Sequence, residues 1–183
     1  MKSAVLLFVW LRLRRAVNSV SGQIVSHHFT SKEMLAAAVY VQGLNDYQTG
    51  LSEALARERD ARVGINAIVR YHLYWVKENP HWARYLQEMR HAEFVAASEQ
   101  TITELNRNFM REVVRWVKPH FEGGAIRRIG LDLFFALVIG PCQEYTRIWL
   151  SGQARTELAA AVKQVSEAAW LAVRGRQARH SSE

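Results

Sequence analysis

The sequence predicts an all-α protein, and three observations lead to that fold class. Every strong hydrophobic period is helical, and no segment alternates apolar and polar residues as a half-buried strand does. The 183 residues include only three prolines, and the long stretches between them favour helix. Hydrophobic residues make up 49% and charged residues 22% of the chain, as is ordinary for a folded protein with a sizeable core.

The clearest start of a helix lies near residue 31. A capping hydroxyl at Thr30 or Ser31 and an acid at Glu33 precede an apolar run, and they predict a helix from Met34 to about Arg57, loosened by two glycines. A second helix is expected from Ala61 to Glu78, where Asn79-Pro80 ends it. The same periodicity predicts further helices at Trp82–Met89, Glu93–Lys118 (broken by Pro119 and the glycines at 123 and 124), Ala125–Leu150 (kinked at Pro141) and Thr156–Arg174.

The last two predicted helices carry more apolar surface than one partner covers. The penultimate helix has almost no polar face, and the final one is rich in alanine, which allows close helix approach. A two-fold dimer buries both most simply, although an ordinary intrachain core is the alternative. The apolar residues of the penultimate helix are Leu131, Leu133, Phe134, Phe135, Leu137, Val138 and Ile139.

Positive charge is concentrated at the start of the chain. The formal net charge is +7, and residues 1–32 contain five cations and no acid. His27, His28 and Lys32 converge on a helix N-terminus, whose backbone N–H groups suit an anion such as a DNA phosphate. A capped surface helix with no ligand is the plainer interpretation of the same residues.

The residues from Val20 to Glu33, VSGQIVSHHFTSKE, carry a family resemblance. They resemble the recognition helix and following helix start of the TetR/AcrR family of transcriptional repressors. The sequence departs from that pattern at Gln23, where a small residue or proline is commoner, and at Ser26, where a phosphate-contacting tyrosine is usual. The segment from Gly140 to Gly152 looks like part of the family's C-terminal regulatory domain, so the resemblance covers about residue 20 to residue 174.

The resemblance implies a ligand-responsive repressor that binds near-palindromic operator DNA as a homodimer through its last two helices. It implies an incomplete helix-turn-helix head at 1–50, because only 19 residues precede Val20. A ligand-binding and dimerisation bundle follows at 51–174, and a disordered tail at 175–183. The alternative is a helical small-molecule-binding or interaction module that dimerises without specific DNA binding. The expected DNA-contacting residues are Ser21, Gly22, Gln23, Ser26, His27, His28 and Lys32.

An unidentified small-molecule effector is expected among the middle helices. Ligand pockets are largely apolar with a few placed polar groups, and the family places its inducer site in this region. For each aromatic residue, plain core packing is the alternative. The expected ligand-binding residues are Trp75, Trp82, Tyr85, Phe94, Asn106, Phe109, Met110, Phe134, Gln143 and Tyr145.

Other functional classes find little support. The seven histidines show no metal-ligand spacing, and the single cysteine, Cys142, lacks a neighbouring base, so neither an enzyme nor a metal or cofactor site is expected. One cysteine favours a reducing compartment, taken as the cytoplasm. The apolar run Ala4–Leu11 is too short to span a bilayer and has no convincing cleavage site, so membrane anchoring and export are the less favoured alternatives.

Overall fold

The computed structural model describes residues 32–93 and 98–175. Within these ranges the chain is helical, as predicted, and its one β-type pairing is an isolated antiparallel bridge between Ile126 and Arg174. Seven α-helices follow one another in the described residues: α1 (Lys32–Ala56), α2 (Ala61–Glu78), α3 (Pro80–Glu88), α4 (Glu99–Glu122), α5 (Leu131–Val138), α6 (Gly140–Leu150) and α7 (Leu158–Val173).

Helix α2 has the bounds that the sequence predicts, because both ends carry strong local signals. The Asp60 carboxylate accepts a hydrogen bond of 2.9 Å from the backbone N–H of Val63, which caps the first turn. At the other end Pro80 cannot continue the helix, and it becomes the first residue of α3, where its missing N–H costs nothing.

Pro119 does not end α4, so that prediction is wrong. The helix continues through Pro119 to Glu122, and the turn comes at Gly123 and Gly124. The Gly123 N–H donates to the Pro119 carbonyl at 2.8 Å, and Gly124 has a φ of 72°, which glycine adopts without strain. A proline this close to the end removes one hydrogen bond, to the carbonyl of Arg115, and both residues are exposed to water.

The prediction of one helix over Ala125–Leu150 is also wrong. Residues 125–130 are not helical; Arg127 N–H donates to the Val173 carbonyl at 2.9 Å, and Gly175 N–H donates to the Ala125 carbonyl at 2.9 Å. The remaining stretch is divided at Ile139 into α5 and α6. The kink predicted at Pro141 is present beside Ile139, which keeps a helical φ of −88° and ψ of −32° and donates to the Phe135 carbonyl at 2.8 Å. Proline has no N–H for the carbonyl of Leu137, which accounts for the interruption.

The described residues form two compact units. The first unit comprises 32–47, 79–93 and 98–106, and the second comprises 48–78 and 107–175. In the first unit Val39, Tyr40 and Tyr85 form the core, and the Tyr85 hydroxyl donates to the Ala36 carbonyl at 2.7 Å. Burial raises the pKa of Tyr85 to about 12. The domain boundary expected at residue 50 stays a prediction.

The second unit is built around α2, which packs against α5, α6 and α7. Its core is made of fully buried aliphatic and aromatic side chains, including Ile65, Phe134, Val138 and Val173. Burial also lowers the pKa of His72 to about 4, so this imidazole is neutral at physiological pH. These helices hold the cavities and surfaces described next.

Candidate functional site

Six of the seven predicted DNA-contacting residues lie outside the described residues. The seventh, Lys32, is the first residue of α1. The helix start that the sequence predicts for this region is therefore present, one residue after Ser31. The DNA contacts themselves stay predictions, and the six residues outside the described ranges are Ser21, Gly22, Gln23, Ser26, His27 and His28.

The predicted ligand-binding residues of the first unit are found in different settings. Tyr85 belongs to the core of the unit, and Trp82 packs against that core. Asn106 is exposed on α4, and Phe94 lies outside the described residues. Trp82 and Tyr85 therefore have the surroundings expected of core residues, which is the alternative given above for the aromatic side chains.

The predicted ligand-binding residues of the second unit are spread over four helices. Phe134 is fully buried, and Phe109 packs on Phe135 with 6.1 Å between the ring centroids. The Tyr145 hydroxyl donates to the Thr156 carbonyl at 2.8 Å, which fixes the segment that follows α6. The remaining three are Met110, which is half-buried, Gln143, which is exposed, and Trp75, which lines a cavity.

Trp75 lines an aromatic cavity of about 290 Å³ between the end of α1 and α2. Tyr71 and Tyr74 share its wall, and Arg70 and Glu78 supply charged groups. The Lys77 ammonium lies 5.9 Å from the centre of the Tyr74 ring. An apolar, aromatic wall with a few charged groups at its edge suits a small organic ligand, so the aromatic cavity is the candidate effector site.

A larger cleft, of about 460 Å³, lies between α2 and α7. None of the predicted ligand-binding residues that the structure describes is among its lining residues. The sequence contains one local signal for this cleft: Arg62, Asn66 and Arg70 follow at intervals of four and therefore lie along one face of α2. The residues that line this cleft are Glu58, Arg62, Val63, Asn66, Ala67, Arg70, Val162, Lys163, Ser166 and Glu167.

The last helices bury one face and expose another. In α5 Phe134 and Val138 are buried in the unit, whereas Leu133 is 46% exposed. In α7 Leu171 is 52% exposed, and Ala160, Gln164 and Ala168 continue the same exposed stripe at helical spacing. Intrachain packing therefore covers only part of the apolar surface predicted from the sequence.

The described residues offer little reactive chemistry. Cys142 is fully buried, its thiol donates to the Val138 carbonyl at 3.3 Å, and burial raises its pKa to about 12. No three histidine, cysteine or acidic side chains in these residues are grouped to hold a metal ion. None of the helices described is both long enough and apolar enough to cross a bilayer.

Comparison with known proteins identifies the fold. No family model and no curated protein matches the sequence. Among solved structures, a TetR family transcription regulator from Marinobacter aquaeolei VT8 is similar with a TM-score of 0.72 and 16% identity, over 89% of this chain and 83% of that one. A putative TetR family regulator from Shewanella sp. PV-4 is similar with a TM-score of 0.68 and 16% identity, over 96% of both chains. The chain has the fold of the TetR family transcription regulators.

Proposed function

We propose that this protein is a ligand-responsive, DNA-binding transcription regulator that acts as a homodimeric repressor in the cytoplasm. The main support for the proposal is the structural similarity to TetR family transcription regulators, which extends over 89–96% of the chain. The cations of residues 1–32 supply the charge that phosphate binding requires. The head is assigned to 1–50 and the ligand-binding and dimerisation body to 51–174.

Regulation follows from the dimer geometry. Two recognition helices held roughly 34 Å apart read two half-sites one helical turn apart, which makes the operator near-palindromic. An effector in the body that binds better when the heads have another separation lowers DNA affinity by its difference in affinity for the two states. The aromatic cavity beside Trp75 is the proposed place for that effector.

The experiment is a selection of bound duplexes from a random DNA library, followed by affinity measurements over a range of salt concentrations. A sequence-specific regulator enriches a near-palindromic site and loses affinity steeply as salt rises. Lys32→Gln is expected to weaken binding to all sequences, whereas Gln23→Ala changes the preferred base. Lys118→Gln, which removes an exposed cation from α4, is the matched control and leaves DNA binding unchanged.

Binding without sequence preference would contradict the proposed function. Weak binding without sequence preference, equally reduced by Lys32→Gln and by Lys118→Gln, contradicts specific DNA recognition. The chain is then a ligand-binding or interaction module on the same fold. The residue that favours this second function is Ser26, which stands where the family usually has a phosphate-contacting tyrosine.

A further inference from the structure

The cleft between α2 and α7 is large enough to hold a small molecule. Its volume of about 460 Å³ is within the range of small-molecule pockets. One wall is the stripe of Arg62, Asn66 and Arg70 along α2, and the other is formed by Lys163 and Ser166 of α7. The cleft shares Ala67 and Arg70 with the aromatic cavity, whereas Arg62, Lys163 and Ser166 line only the cleft.

The charges of the cleft favour an anion. Three cations and two carboxylates line it, which leaves one positive charge (3 − 2 = 1). The ion pairs of the described residues are formed elsewhere, at Glu53–Arg57, Glu112–Arg115, Lys118–Glu122 and Glu144–Arg147. Arg62, Arg70 and Lys163 are exposed and line the cleft without a carboxylate within ion-pair distance, so each of them is available to a bound anion.

Ser166 provides an independent sign of a ligand. It is only 6% exposed, and its hydroxyl has no hydrogen-bond partner in the part of the chain that the structure describes. A serine inside a helix ordinarily donates to the carbonyl four residues earlier, and a buried polar atom without a partner is costly. The hydroxyl oxygen itself has less than 1 Å² of exposed surface. Because Ser166 lines the cleft, a rotation of its side chain would bring this hydroxyl to an acceptor atom of a ligand.

The rest of the lining is apolar. Val63, Ala67 and Val162 contribute hydrocarbon surface, and Val63 is one of the large apolar side chains that stay substantially exposed. A purely inorganic anion would leave this surface in water. A ligand that joins a single negative charge to a hydrocarbon body would cover it and balance the single positive charge of the cleft.

We propose that this cleft binds an organic carboxylate. The carboxylate accepts hydrogen bonds from the Ser166 hydroxyl and from the cations Arg62 and Lys163, and the hydrocarbon body packs on Val63 and Val162. This site is additional to the effector cavity beside Trp75, and its existence does not depend on DNA binding. Carboxylate binding is therefore testable on the full chain with no nucleic acid present.

The test is calorimetric titration of the full chain with hexanoate and with its uncharged isostere hexanamide. Hexanoate is expected to bind saturably and about tenfold more tightly than hexanamide, because charge-assisted hydrogen bonds are stronger than neutral ones. Arg62→Gln and Lys163→Gln should each weaken hexanoate about fivefold. Lys118→Gln, which removes a cation of the same unit outside the cleft, should leave hexanoate affinity unchanged.

Ser166→Ala separates a binding role from a structural one. Removing a buried hydroxyl without a partner leaves the melting temperature of the free protein unchanged or raises it, whereas it weakens hexanoate binding severalfold. Three results would overturn the proposal: no saturable binding at millimolar hexanoate, equal affinity for hexanamide, or equal losses in Lys163→Gln and Lys118→Gln.

Discussion

At the scale of single residues, three glycines inside helices are explained by aromatic rings that lie against them. Glycine within a helix costs about 0.5–1 kcal/mol relative to alanine, and two of these positions predict a loosened α1 from the sequence alone. In the structure a Cβ atom at each position would overlap a ring, so the missing side chain makes room for packing. The pairs are Gly43 with Trp82, Gly50 with Tyr71 and Gly64 with Trp116.

Gly64→Ala should destabilise the protein by about 1–3 kcal/mol, although alanine is the better helix former. The Trp116 indole is held in place because its N–H donates to the Glu58 carbonyl at 2.8 Å, so the ring cannot move away without losing that bond. Urea unfolding followed by circular dichroism measures the change.

Trp116→Leu supplies the control for this prediction. With the indole removed, Gly64→Ala should cost little or stabilise the helix, so the two substitutions are strongly non-additive. An equal cost of Gly64→Ala in both backgrounds would mean that the ring is not what requires glycine here.

The residues of the cleft show why a binding site is harder to predict than a helix. Arg62 and Ser166 come together only because α2 packs on α7, which lie about one hundred residues apart in the sequence. Helical periodicity reports which residues share a face, but it does not report which helices are neighbours. Conversely, aromatic residues suggest a pocket wherever they recur, yet Phe134 and Tyr85 are core residues because packing buries the same rings.

At the scale of elements, the predicted boundaries are right where a local signal is strong. Asp60 and Pro80 fix both ends of α2. The sequence predicts that α4 ends before Pro119, which is wrong because the helix runs to Glu122, whereas the turn predicted at Gly123 and Gly124 is present, with a positive φ at Gly124. The non-helical segment before α5 depends on hydrogen bonds between residues 125–127 and 173–175, and no local pattern encodes such distant pairing.

Pro119→Ala should stabilise the protein by about 1 kcal/mol. The substitution supplies a backbone N–H for the Arg115 carbonyl and relieves the clash of the proline ring with the preceding turn. The greater freedom of alanine in the unfolded chain offsets part of this gain. Thermal unfolding compares the variant with Lys118→Ala, an exposed neighbour in the same turn for which a change within about 0.5 kcal/mol is expected. A lower melting temperature for Pro119→Ala would show that the ring makes stabilising contacts.

At the scale of the whole molecule, the exposed apolar residues of α5 and α7 are the proposed dimer surface. Apart from Gln164, the exposed stripe of α7 combines the small side chains of Ala160 and Ala168, which let helices approach closely, with the large apolar side chain of Leu171, which is half exposed. In a two-fold dimer the same surface of both subunits lies at the interface, so the exposed apolar stripe of one α7 can be buried against the same stripe of its copy. The similarity to TetR family regulators establishes the fold, and under the proposed function this surface holds the two subunits together.

Leu171→Glu should therefore weaken self-association strongly while the helical content of the subunit is retained. Two carboxylates brought together across the two-fold axis cost several kcal/mol, so the dimer dissociation constant should rise on the order of 100-fold. Sedimentation velocity over a range of protein concentrations measures the shift. Val63→Glu is the matched control, because Val63 is nearly as exposed as Leu171, at 46% against 52%, but lies on α2 at the cleft. If Val63→Glu and Leu171→Glu sediment alike, or if the unmodified chain is a monomer at micromolar concentration, the last helices do not form the dimer.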